Sequence, residues 1–275
     1  MTLRLRRTLL LAAFAALGAG PADAASPFKD KNLEAAVRAV LQVDAKADLT
    51  DEKLLNVYVL EAAGKDIADL AGLDKCKNLA SLTLTKNKVA DVAALKDLSN
   101  IQSLDIAENK IKDIGPLAGL TKLQYIRAEG NRISDLKPLA GLSALTALYI
   151  SGNEIADLKP LEPLTKLASL SIGKNKVKDL GPLAKVNALS LLDLQQNEIE
   201  DVAPLAAQTD VKILILSGNK IADLAPLVKA AKADAEGSKR FAPYLRLYLK
   251  DNPLSDEAKN TQLPALKAAG VRIEG

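Results

Sequence analysis

Asparagine returns along this chain at a fixed interval of 22 residues: Asn87, Asn109, Asn131, Asn153, Asn175, Asn197 and Asn219. Aliphatic residues surround each of them in one pattern. In residues 101–122, Ile101, Leu104 and Ile106 precede Asn109, and Ile111, Asp113, Ile114, Pro116, Leu117 and Leu120 follow it. The same register fits 57–78, 79–100, 123–144, 145–166, 167–188, 189–210 and 211–232, eight units in all. The first carries Lys65 in place of Asn, as an end unit can. No unit of this size can bury its aliphatic face alone, so the units must stack and share one long core. Composition agrees: 48% of residues are hydrophobic but only 3% aromatic, which suits many thin aliphatic layers rather than one deep centre.

The spacing dictates the local structure. Leu104 and Ile106 are two residues apart and therefore share one face of a short strand. The next unit repeats them in an adjacent parallel strand, about 4.8 Å away. Asn109 falls where the chain leaves that strand. Its amide can bond backbone groups that the turn leaves unpaired, and repetition makes a ladder of buried amides. Asp113 precedes Ile-Gly-Pro-Leu, the arrangement of a helix cap and a first-turn proline. Too few residues remain for more than a 3-10 turn or one helical turn on the return limb.

The consensus L-x-x-L-x-L-x-x-N-x-I-x-D-I-x-P-L-x-x-L resembles the 22-residue leucine-rich repeats of the internalin type, matched here from residue 57 to 230. That resemblance implies an α/β right-handed solenoid, a horseshoe. Its parallel sheet would line the concave side, short 3-10 or helical segments the convex side, and helical caps both ends. It also implies that the usual activity is binding a protein.

The ends read differently from the middle. Residues 25–56 form an expected N-terminal cap: Asp30 starts a helix whose Leu33, Val37, Val40 and Leu41 make one apolar stripe, and Thr50 starts a second through Leu55. The likeness to internalins extends to this cap. Residues 233–275 hold an insertion, a ninth strand and a C-terminal cap. Asn252 lies 33 residues beyond Asn219, so about 11 residues are inserted relative to the 22-residue period. Val228 to Ala235 reads as helix ended by Gly237-Ser238. Residues 245–249 give the ninth strand. Ser255 caps a helix interrupted before Pro264 and closed by Gly270, and 271–273 form a last strand.

Residues 1–24 have the layout of a secretory leader: Arg4, Arg6 and Arg7, an apolar run from Leu9 to Ala16, then Ala22-Asp23-Ala24. The run is shorter than the roughly 20 residues a membrane span needs, and no Cys follows it for a lipid anchor. The expectation is an exported chain, periplasmic or secreted, without a membrane anchor after cleavage. The full chain has 37 Lys plus Arg against 34 Asp plus Glu; losing three Arg and one Asp with the leader leaves 34 against 33. A near-neutral chain with few aromatics to stack on bases does not point to nucleic acid.

Other chemistry is narrowed by what the sequence contains. With no histidine, Ser-His-Asp and Cys-His catalysis and His-ligated zinc are excluded. The single Cys76 shares its register slot with Leu98, Leu120, Leu142 and Leu164, a core position where free Cys acts as a small hydrophobe. The column Asp69, Asp91, Asp113, Asp135, Asp157, Asp179, Asp201 and Asp223 supplies one carboxylate per unit, too few for calcium. No metal or other cofactor is expected. Asp105 and Asp193, four units apart, are roughly 19 Å from one another by strand spacing, whereas a glycosidase pair needs about 5–9.5 Å.

Binding residues should instead lie on the outward positions of the strands. One column is Glu61, Thr83, Asp105, Arg127, Tyr149, Ser171, Asp193, Ile215 and Tyr248. Its neighbour is Val59, Ser81, Ser103, Tyr125, Ala147, Ser169, Leu191, Ile213 and Arg246. Three of the five tyrosines in the chain fall here, and Tyr and Arg are the usual hot spots of interfaces. Tyr125, Arg127 and Tyr149 form the expected anchor, with Glu61, Asp105 and Asp193 giving polar selectivity. Leu191, Ile213, Ile215 and Tyr248, with Arg246 beside them, form a second group, unless the insertion folds over it. The reading is a monomeric, non-catalytic module for a protein or peptide ligand. A cell-envelope scaffold and an envelope-glycan binder are the alternatives.

Overall fold

The computed structural model describes residues 26–274; the leader assignment lies outside them. Ten three-residue strands make one parallel sheet in strict chain order. They are β1 (Val59–Glu61), β2 (Ser81–Thr83), β3 (Ser103–Asp105), β4 (Tyr125–Arg127), β5 (Ala147–Tyr149), β6 (Ser169–Ser171), β7 (Leu191–Asp193), β8 (Ile213–Ile215), β9 (Arg246–Tyr248) and β10 (Arg272–Glu274). From β1 to β8 every partner is 22 residues on, as in Leu104 against Ile126 and Leu148 against Leu170. The middle residue of each of these strands points into the core and its two neighbours point out. Seven return limbs carry 3-10 turns, from Leu73–Lys75 to Ala203–Ala207. Strands stack more closely than helical turns can, so the stack curves with the sheet on the concave side.

The aliphatic ruler becomes the core layer by layer. Ile101, Leu104, Ile106, Ile111, Ile114, Leu117 and Leu120 are all essentially buried, and each equivalent set lies directly above or below. At roughly 25 cal/mol per Å² of apolar surface, each such Leu or Ile contributes about 2 kcal/mol. Cys76 is fully buried in the slot of Leu98.

The asparagines join one unit to the next. Asn153 Oδ1 accepts from Ile133 N–H, 20 residues upstream, at 2.9 Å. Its Nδ2 donates to Ala128 O and Ile150 O, both at 2.9 Å. The same pattern holds from Asn87 to Asn219, and Asn252 continues it beyond the insertion. The aspartate column works slightly differently from the capping expected of it. The cap position of the Gly115–Gly119 turn is Ile114, not Asp113. Asp113 accepts from the N–H two residues on, that of Gly115, at 2.7 Å. Its seven equivalents do the same, from Asp69 to Asp223.

The caps differ in detail from their sequence pattern. Helix α1 (Lys31–Leu41) starts at Asp30, whose Oδ1 accepts from Asn32 and Leu33. Asp30 Oδ2 also accepts from Ala68 N–H at 2.8 Å, so one carboxylate fastens the cap to the first unit. Leu33 and Val37 are buried, but Val40 is 39% exposed; near the helix end the stripe runs past the first layer. Thr50 caps α2 (Asp51–Leu54).

At the far end, the return limb of the eighth unit is a full helix, α3 (Ala225–Glu236). It begins three residues before the expected Val228, because Asp223 and Pro226 supply the same start as in the 3-10 turns. Asp234 then organises the insertion, accepting from Ser238 Oγ and from the N–H groups of Arg240, Phe241 and Ala242. The last helical stretch is not broken before Pro264. It runs through a π turn at Ala258–Gln262 into α4 (Leu263–Ala268). The wide turn leaves Leu263–Pro264 able to enter a new first turn, where proline costs no bond.

Candidate functional site

The outward side chains of β1–β8 stand in two columns fixed by the register. Tyr125 pairs with Ala147, and Arg127 with Tyr149. Because Ala147 is small, Tyr125 leans across to Tyr149, and the rings meet at 5.6 Å with a 47° tilt. Such a pair is worth about 1 kcal/mol beyond its area, so it presents a stiff aromatic ledge. Burial pushes the Tyr125 hydroxyl above its ordinary value, partly offset by Arg127; the phenol stays neutral.

Arg127 is held from two sides. Its Nη1 lies 3.3 Å from Asp105 Oδ2 and its Nε 3.5 Å from Glu129 Oε1. Burial works against its charge, but Glu129 and Asp105 outweigh that and raise its pKa. The structure thus brings Tyr125, Arg127, Tyr149 and Asp105 together. It also corrects the role given to two aspartates. Asp105 is mostly covered and is also bonded by Thr85 Oγ1 and Ala107 N–H. Asp193 is buried, accepting from Ser171 Oγ at 2.9 Å, Gln195 N–H at 3.1 Å and Gln195 Nε2 at 3.3 Å. Both carboxylates primarily brace neighbouring units, and Asp193 has little surface to offer a ligand. Glu61 is exposed on the first strand, away from that cluster.

The second group stays open. Leu191, Ile213, Ile215 and Tyr248 are half-buried side by side, with Arg246 over the Tyr248 ring at 5.8 Å and paired to Glu274 at 3.3 Å. The insertion does not fold over them. Helix α3 replaces a convex turn and packs against the preceding one and against α4, while Phe241 and Ala242 are buried.

Sequence reasoning passed over Glu129. It lies two residues beyond β4, outside both columns. Its Oε2 is closed off from solvent and has no hydrogen-bond partner. It borders a cleft of about 390 Å³, also lined by Ser151, Ser171, Lys174, Asp193 and Gln195. Its position two residues past an outward Arg was the available sign: alternation carries it to the same side as Arg127.

Cys76 is no nucleophile in the folded protein. Burial, with a smaller contribution from Asp74, pushes its thiol up to about 12. Among the described residues no group of three or more His, Cys, Asp or Glu could hold a metal ion. None of the described helices is long and apolar enough to cross a membrane.

The pattern known as Leucine Rich repeats (2 copies) matches residues 99–141 and 143–185. Internalin C2 of Listeria monocytogenes is 35% identical over 73% of this chain and 89% of its own, with a TM-score of 0.71. The chain therefore belongs to the internalin-type leucine-rich-repeat proteins. The functional domain of InlJ, also from Listeria monocytogenes, shares the fold: 20% identity, 90% of this chain, 60% of that one, TM-score 0.56. So does the ectodomain of the Arabidopsis thaliana receptor kinase GASSHO1/SCHENGEN3, in complex with CASPARIAN STRIP INTEGRITY FACTOR 2. It is 20% identical over 74% of this chain and 26% of that one, TM-score 0.58. No curated protein sequence matches the chain. Leucine-rich-repeat folds of this kind commonly serve as protein-interaction modules.

Proposed function

We propose that this protein is a non-catalytic, monomeric binding module, exported to a periplasm or beyond the cell, that holds a protein or peptide ligand on its concave sheet. The observation that carries the proposal is the uncovered aromatic ledge. Tyr125 and Tyr149 stack on an open strand face with Arg127 fixed beside them. Rigid aromatics with a pre-oriented guanidinium lose little freedom on binding. Leu191, Ile213 and Ile215 add half-exposed apolar area on the same face, and exposed apolar clusters mark interfaces.

The test is capture by the immobilised protein from envelope and culture-supernatant extracts, compared with a Tyr125→Ala/Arg127→Ala/Tyr149→Ala variant. A protein retained by the wild type and lost by the variant supports the reading. Tyr125→Ala alone should cost about 2 kcal/mol, roughly thirtyfold in affinity. Equal or absent capture favours an envelope scaffold. Retention of a polysaccharide fraction, lost in the variant, favours sugar stacking on the tyrosines.

A further inference from the structure

The concave face has an uneven charge. The chain carries 37 Lys plus Arg, yet from β2 to β8 no lysine occupies an outward strand position or the next position on that side. Those positions hold Asp105, Glu129 and Asp193 against a single cation, Arg127, which Asp105 and Glu129 already pair. The face is acidic while the turns beside it carry the lysines.

Three observations give this acidity a place. Glu129 keeps about a quarter of its side chain exposed, and although Arg127 pairs with its Oε1, its Oε2 has no donor. The cleft beside it is lined by Glu129 and by the exposed Glu108, which Lys86 meets only at 3.8 Å, above the buried Asp193, with one lining cation, Lys174. Gly130 and Gly152 form part of its lining and add no side chain to it.

Those glycines suit a left-handed backbone, but that backbone does not exclude side chains. The residue before each ladder asparagine has positive φ, 65° at Gly130 and 68° at Gly152, but Lys86, Glu108, Lys174 and Gln196 hold the same conformation with side chains. A Cβ on Gly152 would meet nothing nearer than 3.6 Å. At these two positions glycine, besides easing the positive φ, leaves room that a side chain would fill.

We infer that the ligand is an extended basic segment, which seats a Lys or Arg side chain in this cleft and an apolar side chain on Leu191, Ile213 and Ile215. The inference rests on the concave-face reading above and specifies its partner. Tyr149, in register with Ser171 of the cleft, adds an aromatic face suited to a cation. The apolar group lies about two strands further on, roughly 10 Å. A peptide in the extended polyproline II conformation covers that in about three residues and returns to the same face every third residue, so the basic and apolar residues should be spaced i, i+3.

The test uses a displayed library of random nine-residue peptides, selected on the wild-type protein. Retained peptides are then measured against Glu129→Gln, which keeps shape and removes charge, and Gly152→Gln, which fills the cleft as Gln196 shows the turn allows. The expected result is enrichment of Lys or Arg three residues from Leu, Ile, Val or Phe, with affinity about tenfold weaker for either variant. Retained peptides without a basic residue, sensitive to Tyr125→Ala/Tyr149→Ala but not to Glu129→Gln, would overturn this inference and leave the concave-face reading standing. Peptides indifferent to all these substitutions, or no enrichment, would remove both.

Discussion

Asn153→Ala is the sharpest test of what holds the units together. Four groups lose a partner: Ile133 N–H, Ala128 O and Ile150 O, and, through a long bond of 3.4 Å, Ser151 O, which keeps the Gly130 N–H. They do not lose equally. Ala128 O still accepts from Asn131, and Ile150 O from Asn175. Only Ile133 N–H is left with nothing, and an orphaned buried donor costs about 1–3 kcal/mol. Two weakened carbonyls at about 0.5 kcal/mol each bring the expected loss to about 3 kcal/mol. Asn109 has the same partners but is only half-buried, so water can replace it and Asn109→Ala should cost about half as much. Asn153→Asp should be worse than Asn153→Ala, because a carboxylate oxygen would face two carbonyls. Urea unfolding followed by circular dichroism, with the slope checked for constancy, measures all three. A loss under about 1 kcal/mol for Asn153→Ala would refute the orphaned-donor account, and equal losses at 153 and 109 would refute the replacement of Asn109 by water.

Two further predictions concern ionisation. Cys76, with its thiol pushed up to about 12, should resist a thiol reagent at pH 8 in the native protein and react fully in denaturant; rapid native labelling would show that the first layer opens. At Asp30 and Asp234 burial raises the carboxyl pKa, but hydrogen bonds, mostly from backbone N–H groups, overcome it and leave both below the ordinary value. A depressed folded pKa stabilises above the unfolded value of about 3.9 and is lost as pH falls through the folded one. Hydrogen exchange below pH 4 should therefore open α1 and residues 234–245 before the central units, and the reverse order would contradict this.

Much of the fold was legible because one rule is applied eight times. A 22-residue register fixes which residues face inward, and the strands lie where Leu104 and its equivalents put them. What escaped depends on contacts the period does not encode. Val40 continues the apolar stripe of α1 but has no layer left to cover it. Asp234 reads as a helix-surface acid, yet the chain after Gly237 folds back to donate to it. At the site, alternation placed Tyr125, Arg127 and Tyr149 outward. It could not show that Ser171 and Gln195 close over Asp193, since that depends on side chains leaning between units.

The ladder also has a direction. Each asparagine bonds its own turn and also completes the unit before it: Asn87 takes the N–H groups of Lys65 and Ile67 and reaches back to Ala62 O. A turn is therefore unfinished until the next 22 residues have been laid down. During synthesis, which runs from the N-terminus, every newly emerged unit waits on its successor. Trimming from the C-terminus strips a completed turn of its side-chain partner, whereas trimming from the N-terminus leaves that partner in place and instead orphans backbone N–H groups such as those of Gln102 and Lys110, which donate to Ala80 O and Val89 O. Asn252, which reaches Ile221 and Leu216 O across the insertion, is the closing stitch of that sequence of events.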